Sequence, residues 1–200
     1  MENKILNLFT RENKLKFKDI SAPLKERSNK VAYHLKNLLK RGILKKENNF
    51  YSLSDEAEYL IPYLSDNKSS LPVVLIEIRK KNKIFLYKRK KRPYLNLYGL
   101  PGGRLIIGES IKESAKRIMK TKFGINIIPK EIKSISLEHI KKKNKIINSF
   151  ILILVKAETN QNISLFNIKS IKKEMIESDY KLVIENPNYL SIKEIISKYN

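Results

Sequence analysis

The spacing of apolar residues in the first third of the chain predicts helices. In the clearest case, residues 28–41, the apolar positions follow an i, i+4, i+7, i+8 pattern and form one stripe: Val31, Leu35, Leu38 and Leu39. Ser28 is a suitable N-cap for this helix and Gly42 a suitable C′ residue. Similar but shorter patterns predict helices over 3–11, 17–24 and 55–64.

Strand patterns dominate the rest of the chain. Short runs at 43–46 and 50–53 flank Glu47-Asn48-Asn49 and predict a hairpin. A polar stretch at 65–72 breaks every pattern, so we expect two domains, 1–65 and 70–200. The second domain shows strand patterns at 73–78, 84–89, 132–140 and 146–156, with helices over 110–122 and from about Ser191. The predicted fold class is α+β.

The face of helix 28–41 opposite the apolar stripe carries basic and polar side chains and no acid: Asn29, Lys30, Tyr33, Asn37, Lys40 and Arg41. Such side chains read base edges and bind phosphates. Three helices and a hairpin, with the run from Ser28 to Leu44, resemble bacterial and archaeal winged-helix repressors. The resemblance implies that this helix enters the major groove of DNA while the hairpin, with Lys45 and Lys46, lies along the backbone. A role in protein contacts or dimerisation stays open.

Charge and composition indicate nucleic acid as a class of partner and argue against disulfides and a histidine metal site. The net charge is +22, with 13 basic and 8 acidic residues in 1–65 against 29 and 12 in 66–200, so the excess lies in the second domain. Surface cations attract nucleic acids, although a lysine-rich composition alone gives the same net charge.

Cysteine is absent, and the two histidines, His34 and His139, lie in different domains, so neither disulfides nor a histidine metal site is expected. No signal peptide or membrane span is indicated, and we expect a cytoplasmic protein without membrane contact.

A glycine-rich segment in the second domain precedes the helix at 110–122. After Leu100-Pro101-Gly102-Gly103, five residues separate Gly103 from Glu109, seven separate Glu109 from Arg117, and six separate Arg117 from Gly124-Ile125. This spacing resembles the Nudix box. The resemblance implies that 70–200 form a Nudix α/β/α sandwich with a mixed sheet. It also implies that Glu109 pairs with Arg117, while Gly124 ends the helix.

The box departs from the family where the family binds metal. The family has three glutamates on one helical face that hold Mg²⁺ against a pyrophosphate, and here those positions are Ile118, Thr121 and Lys122. We therefore expect no catalytic residue, no metal and no cofactor. Two other carboxylates, Glu113 and Glu138, leave weak Mg²⁺ binding open.

A lysine in place of a metal can neutralise a phosphate without catalysing its hydrolysis. We accordingly expect a nucleotide-like ligand to bind to basic and glycine residues around the box: Arg89, Arg92, Gly102, Gly103, Arg104 and Lys122. Tyr94, Leu97 and Tyr98 could stack on a base or belong to the core. The sequence thus predicts a transcription regulator, expected to be a homodimer, whose Nudix-like domain senses a nucleotide-type metabolite. A divergent Nudix hydrolase and a nucleic-acid-binding protein without a small ligand are the alternatives.

Overall fold

The computed structural model of this 200-residue chain describes residues 1–64, 69–90, 94–142 and 145–184. The chain divides into two compact units, Met1–Ser69 and Ser70–Asn200. Each unit has buried hydrophobic clusters of its own. The helix expected from about Ser191 lies outside the described residues.

The N-terminal unit contains the three predicted helices and the predicted hairpin. Its elements are α1 (Glu2–Leu8), β1 (Leu15–Lys16), α2 (Phe17–Leu24), α3 (Ser28–Lys40), β2 (Leu44–Glu47) and β3 (Phe50–Leu53). The strands form an antiparallel sheet in the order β1-β3-β2. The apolar stripe of α3 is buried through Val31, Leu35 and Leu38, which pack with α1, α2 and the hairpin in one core.

The two ends of α3 differ in how well the sequence predicted them. Arg27, not Ser28, is the N-cap, and no side chain caps the helix there, so the prediction for Ser28 is wrong by one position. Gly42 lies beyond the C-cap with φ +67°, and its N–H donates to the Leu39 carbonyl while Ile43 N–H donates to the Leu38 carbonyl. This pair of bonds is the Schellman arrangement, which favours glycine.

The segment expected to form a helix at 55–64 is a 3-10 helix, Asp55–Tyr63. Pro62 lies within it, lacks an N–H donor and disfavours the α conformation of Ile61, so the last turn of the segment does not suit an α-helix. Ala57 is buried, and Leu60, Ile61 and Leu64 pack against the core of the same unit.

A mixed sheet between helices organises the C-terminal unit. The larger elements are β4 (Leu71–Glu77), β9 (Gly102–Arg104), α4 (Ile111–Phe123), β10 (Ile128–Lys142), β11 (Lys145–Glu158) and α5 (Glu177–Ile184). The sheet has the order β10-β11-β4-β9, with β4 and β11 parallel and the other neighbours antiparallel. Ile118 and Met119 of α4 pack on one face and Leu182 and Val183 of α5 on the other.

Short strands surround this sheet. They are β5 (Arg79–Lys80), β6 (Lys83–Ile84), β7 (Tyr87–Lys88), β8 (Tyr98–Gly99) and β12 (Phe166–Asn167). The strand predicted at 84–89 is divided, because β6 pairs with β5 and β12 whereas β7 pairs with β8. Ile84 and Leu86, two residues apart in the predicted strand, are nevertheless both buried.

One buried ion pair crosses the sheet. Glu77, at the end of β4, is 2% exposed, and the Lys133 ammonium donates to its Oε2 at 2.7 Å. The register of β10 against β11 shifts between Ile132 and Ser134, so Lys133 is the extra residue of a bulge. Arg79 adds a second, longer contact of 3.7 Å to Glu77.

Removing Lys133 should destabilise the fold strongly. Lys133→Met leaves the Glu77 carboxylate buried with the longer contact to Arg79, and we expect a loss of about 3–5 kcal/mol in the free energy of unfolding. The control is Lys156→Met, which removes the exposed 3.3 Å pair with Glu131 and should cost at most about 1 kcal/mol. Urea unfolding of the full chain measures both, and equal losses would contradict the assignment.

Candidate ligand pocket

An ion pair joins helix α4 to the segment before it. Arg117 donates to Glu109 through Nε at 2.5 Å and Nη2 at 2.8 Å, and it also donates to the Arg104 carbonyl at 3.0 Å. Hydrogen bonding to Arg117, with a further bond from Ser114, lowers the pKa of Glu109. The ion pair expected from the sequence is therefore present, and it also binds the end of β9.

Glu113, one of the two carboxylates that left weak Mg²⁺ binding open, caps the start of α4. Ser110 is the N-cap; its hydroxyl accepts from Glu113 N–H at 3.2 Å, and its own N–H donates to Glu113 Oε2 at 2.8 Å. This reciprocal capping lowers the pKa of Glu113. Gly124 ends the helix with φ +68°, as the sequence indicated.

Gly102 and Gly103 permit close packing of β9. A Cβ on Gly103 would lie 2.9 Å from Ile118 Cγ1, and one on Gly102 would lie 2.6 Å from Leu75 Cδ2. Side chains at either position would therefore push β9 away from α4 or from β4. The glycines serve the packing of the chain on itself.

The three positions where the Nudix box has metal-binding glutamates do not suit a divalent cation. Ile118 is 0% exposed in the core, Thr121 donates its hydroxyl to the Arg117 carbonyl, and the Lys122 ammonium donates to the Gly102 carbonyl. Among the described residues, no group of three or more acidic, histidine or cysteine side chains is arranged to hold a metal ion. A hard cation requires several oxygen ligands, and these side chains offer a single hydroxyl.

A cavity of about 320 Å³ lies on the α5 side of the sheet. Its walls are mainly aliphatic and aromatic, with several polar groups, and comprise Leu71, Val73, Leu75, Arg89, Tyr94, Arg104, Glu138, Asn148, Phe150, Leu152, Ile176, Ser178 and Asp179. An apolar pocket with a few convergent polar groups is typical of small-molecule sites.

The cavity includes part of the predicted ligand set. Arg89 and Arg104 both line it, whereas Gly102, Gly103 and Lys122 are not among its lining residues. Arg92 lies outside the described residues. Of the other candidates, Tyr94 and Glu138 line the cavity, while Tyr98 packs against Phe166 with 5.0 Å between ring centroids.

The cavity wall also includes Ser178 and Asp179, two residues that the sequence patterns did not identify. Asp179, near the start of α5, is 6% exposed and accepts a 2.8 Å hydrogen bond from Leu100 N–H. Burial raises the pKa of Asp179 to about 7. Ser178 Oγ is buried and has no hydrogen-bond partner among the described residues. No local signal marked these two residues, because the fold brings Asp179 to Leu100 from far along the chain.

Tyr94 connects the two sides of the cavity. Its hydroxyl donates to Glu138 Oε1 at 3.0 Å, and burial, followed by the charge of Glu138, raises the pKa of Tyr94 to about 12. Its backbone is left-handed, with φ +63°, which is uncommon for an aromatic residue. Such conformations persist where surrounding contacts hold them, often at binding sites.

Comparison with known proteins identifies the fold. A Nudix hydrolase from Nitrosomonas europaea superposes with a TM-score of 0.54 at 14% identity, covering 64% of this chain and 98% of that one. A MutT Nudix hydrolase from Burkholderia pseudomallei gives 0.51 at 14% identity, covering 60% and 98%. The chain contains the Nudix hydrolase fold. The N-terminal unit accounts for 69 of 200 residues, so matches of this extent must include the C-terminal unit, called the Nudix unit below.

Sequence comparison is more limited. A segment of 61 residues is 41% identical to an ADP-ribose pyrophosphatase from Methanocaldococcus jannaschii, covering 30% of this chain and 35% of that protein. The chain thus matches about a third of the length of this relative. No model of a protein family matches the sequence.

The basic face of α3 lies on the surface of the N-terminal unit. Of the predicted DNA contacts, Asn37 and Lys45 are half-buried, and the others are exposed: Asn29, Lys30, Tyr33, Lys40, Arg41 and Lys46. Acids from other elements neutralise part of this set, since Lys30 pairs with Glu26 at 3.0 Å, Arg41 with Glu2 at 2.7 Å and Lys45 with Asp55 at 3.4 Å.

The centre of that exposed face includes a residue that the sequence analysis omitted. Lys36 is exposed and lies three residues after Tyr33 and four before Lys40, so all three share one side of α3. Helical spacing alone could have identified it.

In the described parts of the chain, no helix is long and apolar enough to cross a membrane.

Asp179 should make the stability of the Nudix unit depend on pH. Its pKa rises from 3.8 to about 7 on folding, so the folded state binds the extra proton and stability falls as pH rises between those values. Asp179→Asn removes the titration and keeps an oxygen that can accept from Leu100 N–H. We expect the difference in Tm, variant minus wild type, to increase from pH about 4 to about 7 and then to level off. Parallel curves across this range would show that Asp179 does not titrate there.

Proposed function

We propose that the chain is a DNA-binding transcription regulator whose Nudix unit binds a nucleotide-type ligand without hydrolysing it. The observation that carries the proposal is the combination of a formed cavity containing Arg89 and Arg104 with the unsuitable metal positions Ile118, Thr121 and Lys122.

The arrangement of the N-terminal unit supports DNA binding. Helix α3 buries one face and exposes Asn29, Tyr33, Lys36 and Lys40 on the other, and a hairpin follows it directly. Asn48 and Asn49 form the hairpin turn with φ of +45° and +70°, and Lys45 and Lys46 lie on the strand before this turn. A winged helix uses a helix and a hairpin in this order to contact the groove and the backbone.

The chemistry of the cavity supports a nucleotide-type ligand. Phe150, Leu152 and Leu75 offer apolar walls for a base, and guanidinium groups bind phosphate by charge and by paired N–H donors. Ser178 Oγ, which has no partner among the described residues, can bond to a polar edge of the same ligand. The volume of about 320 Å³ is close to the lower limit for small-molecule pockets, which favours a ligand of mononucleotide size over a dinucleotide.

The residues of α4 support binding without hydrolysis. Lys122 places a positive charge against the Gly102 carbonyl, in the part of the fold where the family holds Mg²⁺. Glu113 caps helix α4 and Glu138 accepts a hydrogen bond from Tyr94, so both carboxylates already have hydrogen-bond partners.

We propose that the regulator is a homodimer with two conformational arrangements. A ligand that binds these arrangements with different affinity shifts the equilibrium between them and so changes the affinity for DNA.

The α3 assignment predicts a loss of DNA affinity for Tyr33→Ala. We expect binding to a mixed-sequence duplex to weaken by about tenfold, about 1.4 kcal/mol, with the thermal shift produced by ligands unchanged. Tyr63→Ala is the matched control, because Tyr33 and Tyr63 are both 62% exposed. Fluorescence anisotropy measures the affinity, and equal effects of the two variants would remove α3 from the recognition role.

The pocket assignment predicts that ligand binding does not require Mg²⁺. A thermal-shift screen of mononucleotides and dinucleotides should find a phosphate-bearing compound that raises Tm equally with and without Mg²⁺. Arg104→Gln should reduce that shift, whereas Lys120→Gln, on the exposed side of α4, should leave it intact. Stabilisation that strictly requires Mg²⁺ would refute the proposal.

A divergent hydrolase is the second candidate. The similarity of one segment to an ADP-ribose pyrophosphatase and the carboxylates of Glu138 and Asp179 in the cavity favour it. Release of nucleoside monophosphate from ADP-ribose, dependent on Mg²⁺ and abolished by Glu138→Gln, would establish this function in place of the first.

A further inference from the structure

The small sheet β5-β6-β12 of the Nudix unit presents a concentration of exposed lysines. The hairpin of β5 and β6 carries Lys80, Lys81 and Lys83, and the segment after β12 carries Lys169, Lys172 and Lys173. The two segments are neighbours, because Asn167 pairs with Lys83 and Ile168 N–H donates to the Asn82 carbonyl at 3.1 Å. We call these six lysines the lysine surface.

In the described part of the chain, the lysine surface contacts an aromatic ring and no acid: the Lys172 ammonium lies 5.3 Å from the centroid of the Tyr180 ring. None of the six forms an ion pair with an acid among the described residues. Glu174 is the acid within this stretch of sequence, and Glu77, just before the hairpin, is buried and bonded to Lys133 and Arg79. Elsewhere in the Nudix unit, Lys130, Lys156 and Lys181 each pair with a glutamate.

The hairpin positions are poor choices for lysine on structural grounds. Lys80 and Lys83 are directly paired across the antiparallel strands, where Cβ atoms lie about 5 Å apart and like charges destabilise the pair. Lys81 occupies the turn with φ +54°, a conformation that glycine or asparagine adopts at lower cost. Stability therefore does not explain these lysines, whereas an external polyanion that neutralises them does.

We propose that the lysine surface is a second DNA-contacting site, which binds the phosphate backbone independently of base sequence. Lysine is a flexible point charge suited to such contacts, and it offers none of the paired donors by which arginine reads guanine. This inference rests on the proposed DNA-binding function and assigns part of the excess charge of the second domain to it.

The test uses the full chain and two triple variants with equal loss of charge. The first is Lys80→Gln, Lys81→Gln and Lys83→Gln in the hairpin; the second is Lys112→Gln, Lys116→Gln and Lys120→Gln, exposed on α4. Affinity for a mixed-sequence DNA duplex is measured between about 50 and 200 mM salt, where the slope of log K against log[salt] changes by about 0.9 per phosphate contact. We expect the hairpin variant to reduce the magnitude of the slope by about 2 to 3 and the α4 variant to leave it unchanged.

The outcomes separate this inference from the function on which it rests. Equal slopes for the two triple variants would overturn the lysine surface, while a weakening by Tyr33→Ala would still support DNA binding through α3. Absence of DNA binding by the wild-type chain would overturn both. The hairpin variant should also keep or slightly raise Tm, since it removes the cross-strand repulsion; a lower Tm would show that the lysines serve the fold.

Discussion

The guanidinium group of Arg117 fixes the geometry on which the Nudix unit depends. It joins Glu109, before helix α4, to the Arg104 carbonyl at the end of β9. Strand β9 in turn pairs with β4, so the helix, the glycine segment and the central sheet are held together. Arg104 leaves β9 at this point and lines the cavity on the other face. The ion pair therefore positions a side chain of the cavity wall, although neither Glu109 nor Arg117 lines the cavity.

The same packing explains why the altered box can keep the fold. Ile118 fills the space against Gly103, and Lys122 donates to the Gly102 carbonyl, so both residues stabilise the contact between α4 and β9. A glutamate at the buried position of Ile118 would require a cation to balance it, since an isolated buried carboxylate is costly. Ile118 instead supplies apolar packing and Lys122 supplies a positive charge, so a bound cation is not required at these positions. The packing of α4 on β9 thus does not depend on glutamates at these positions.

The sequence predicted the elements whose signals are local. The apolar stripe of α3, the left-handed Gly42 and Gly124 and the pairing of Glu109 with Arg117 all depend on residues within a few turns of one another. It failed where distant segments decide the outcome. The strand expected at 84–89 is divided because β6 pairs with β12 and β7 with β8, and Asp179 reaches Leu100 from the other end of the unit. The sequence therefore named Arg89, Arg104 and Glu138 of the candidate pocket, whereas it did not identify the buried Asp179.

These acids change how the charge of the protein is interpreted. We expected basic and glycine residues around the ligand, yet the cavity also contains Glu138 and a buried Asp179 beside Arg89. A pocket with both signs of charge can discriminate among ligands by the placement of donors and acceptors, whereas a purely cationic one would accept any phosphate. Lysine ammonium groups paired with glutamates contribute little to external binding, because their fields are largely cancelled nearby. The location of unpaired cations, and not their total, indicates where a polyanion can bind.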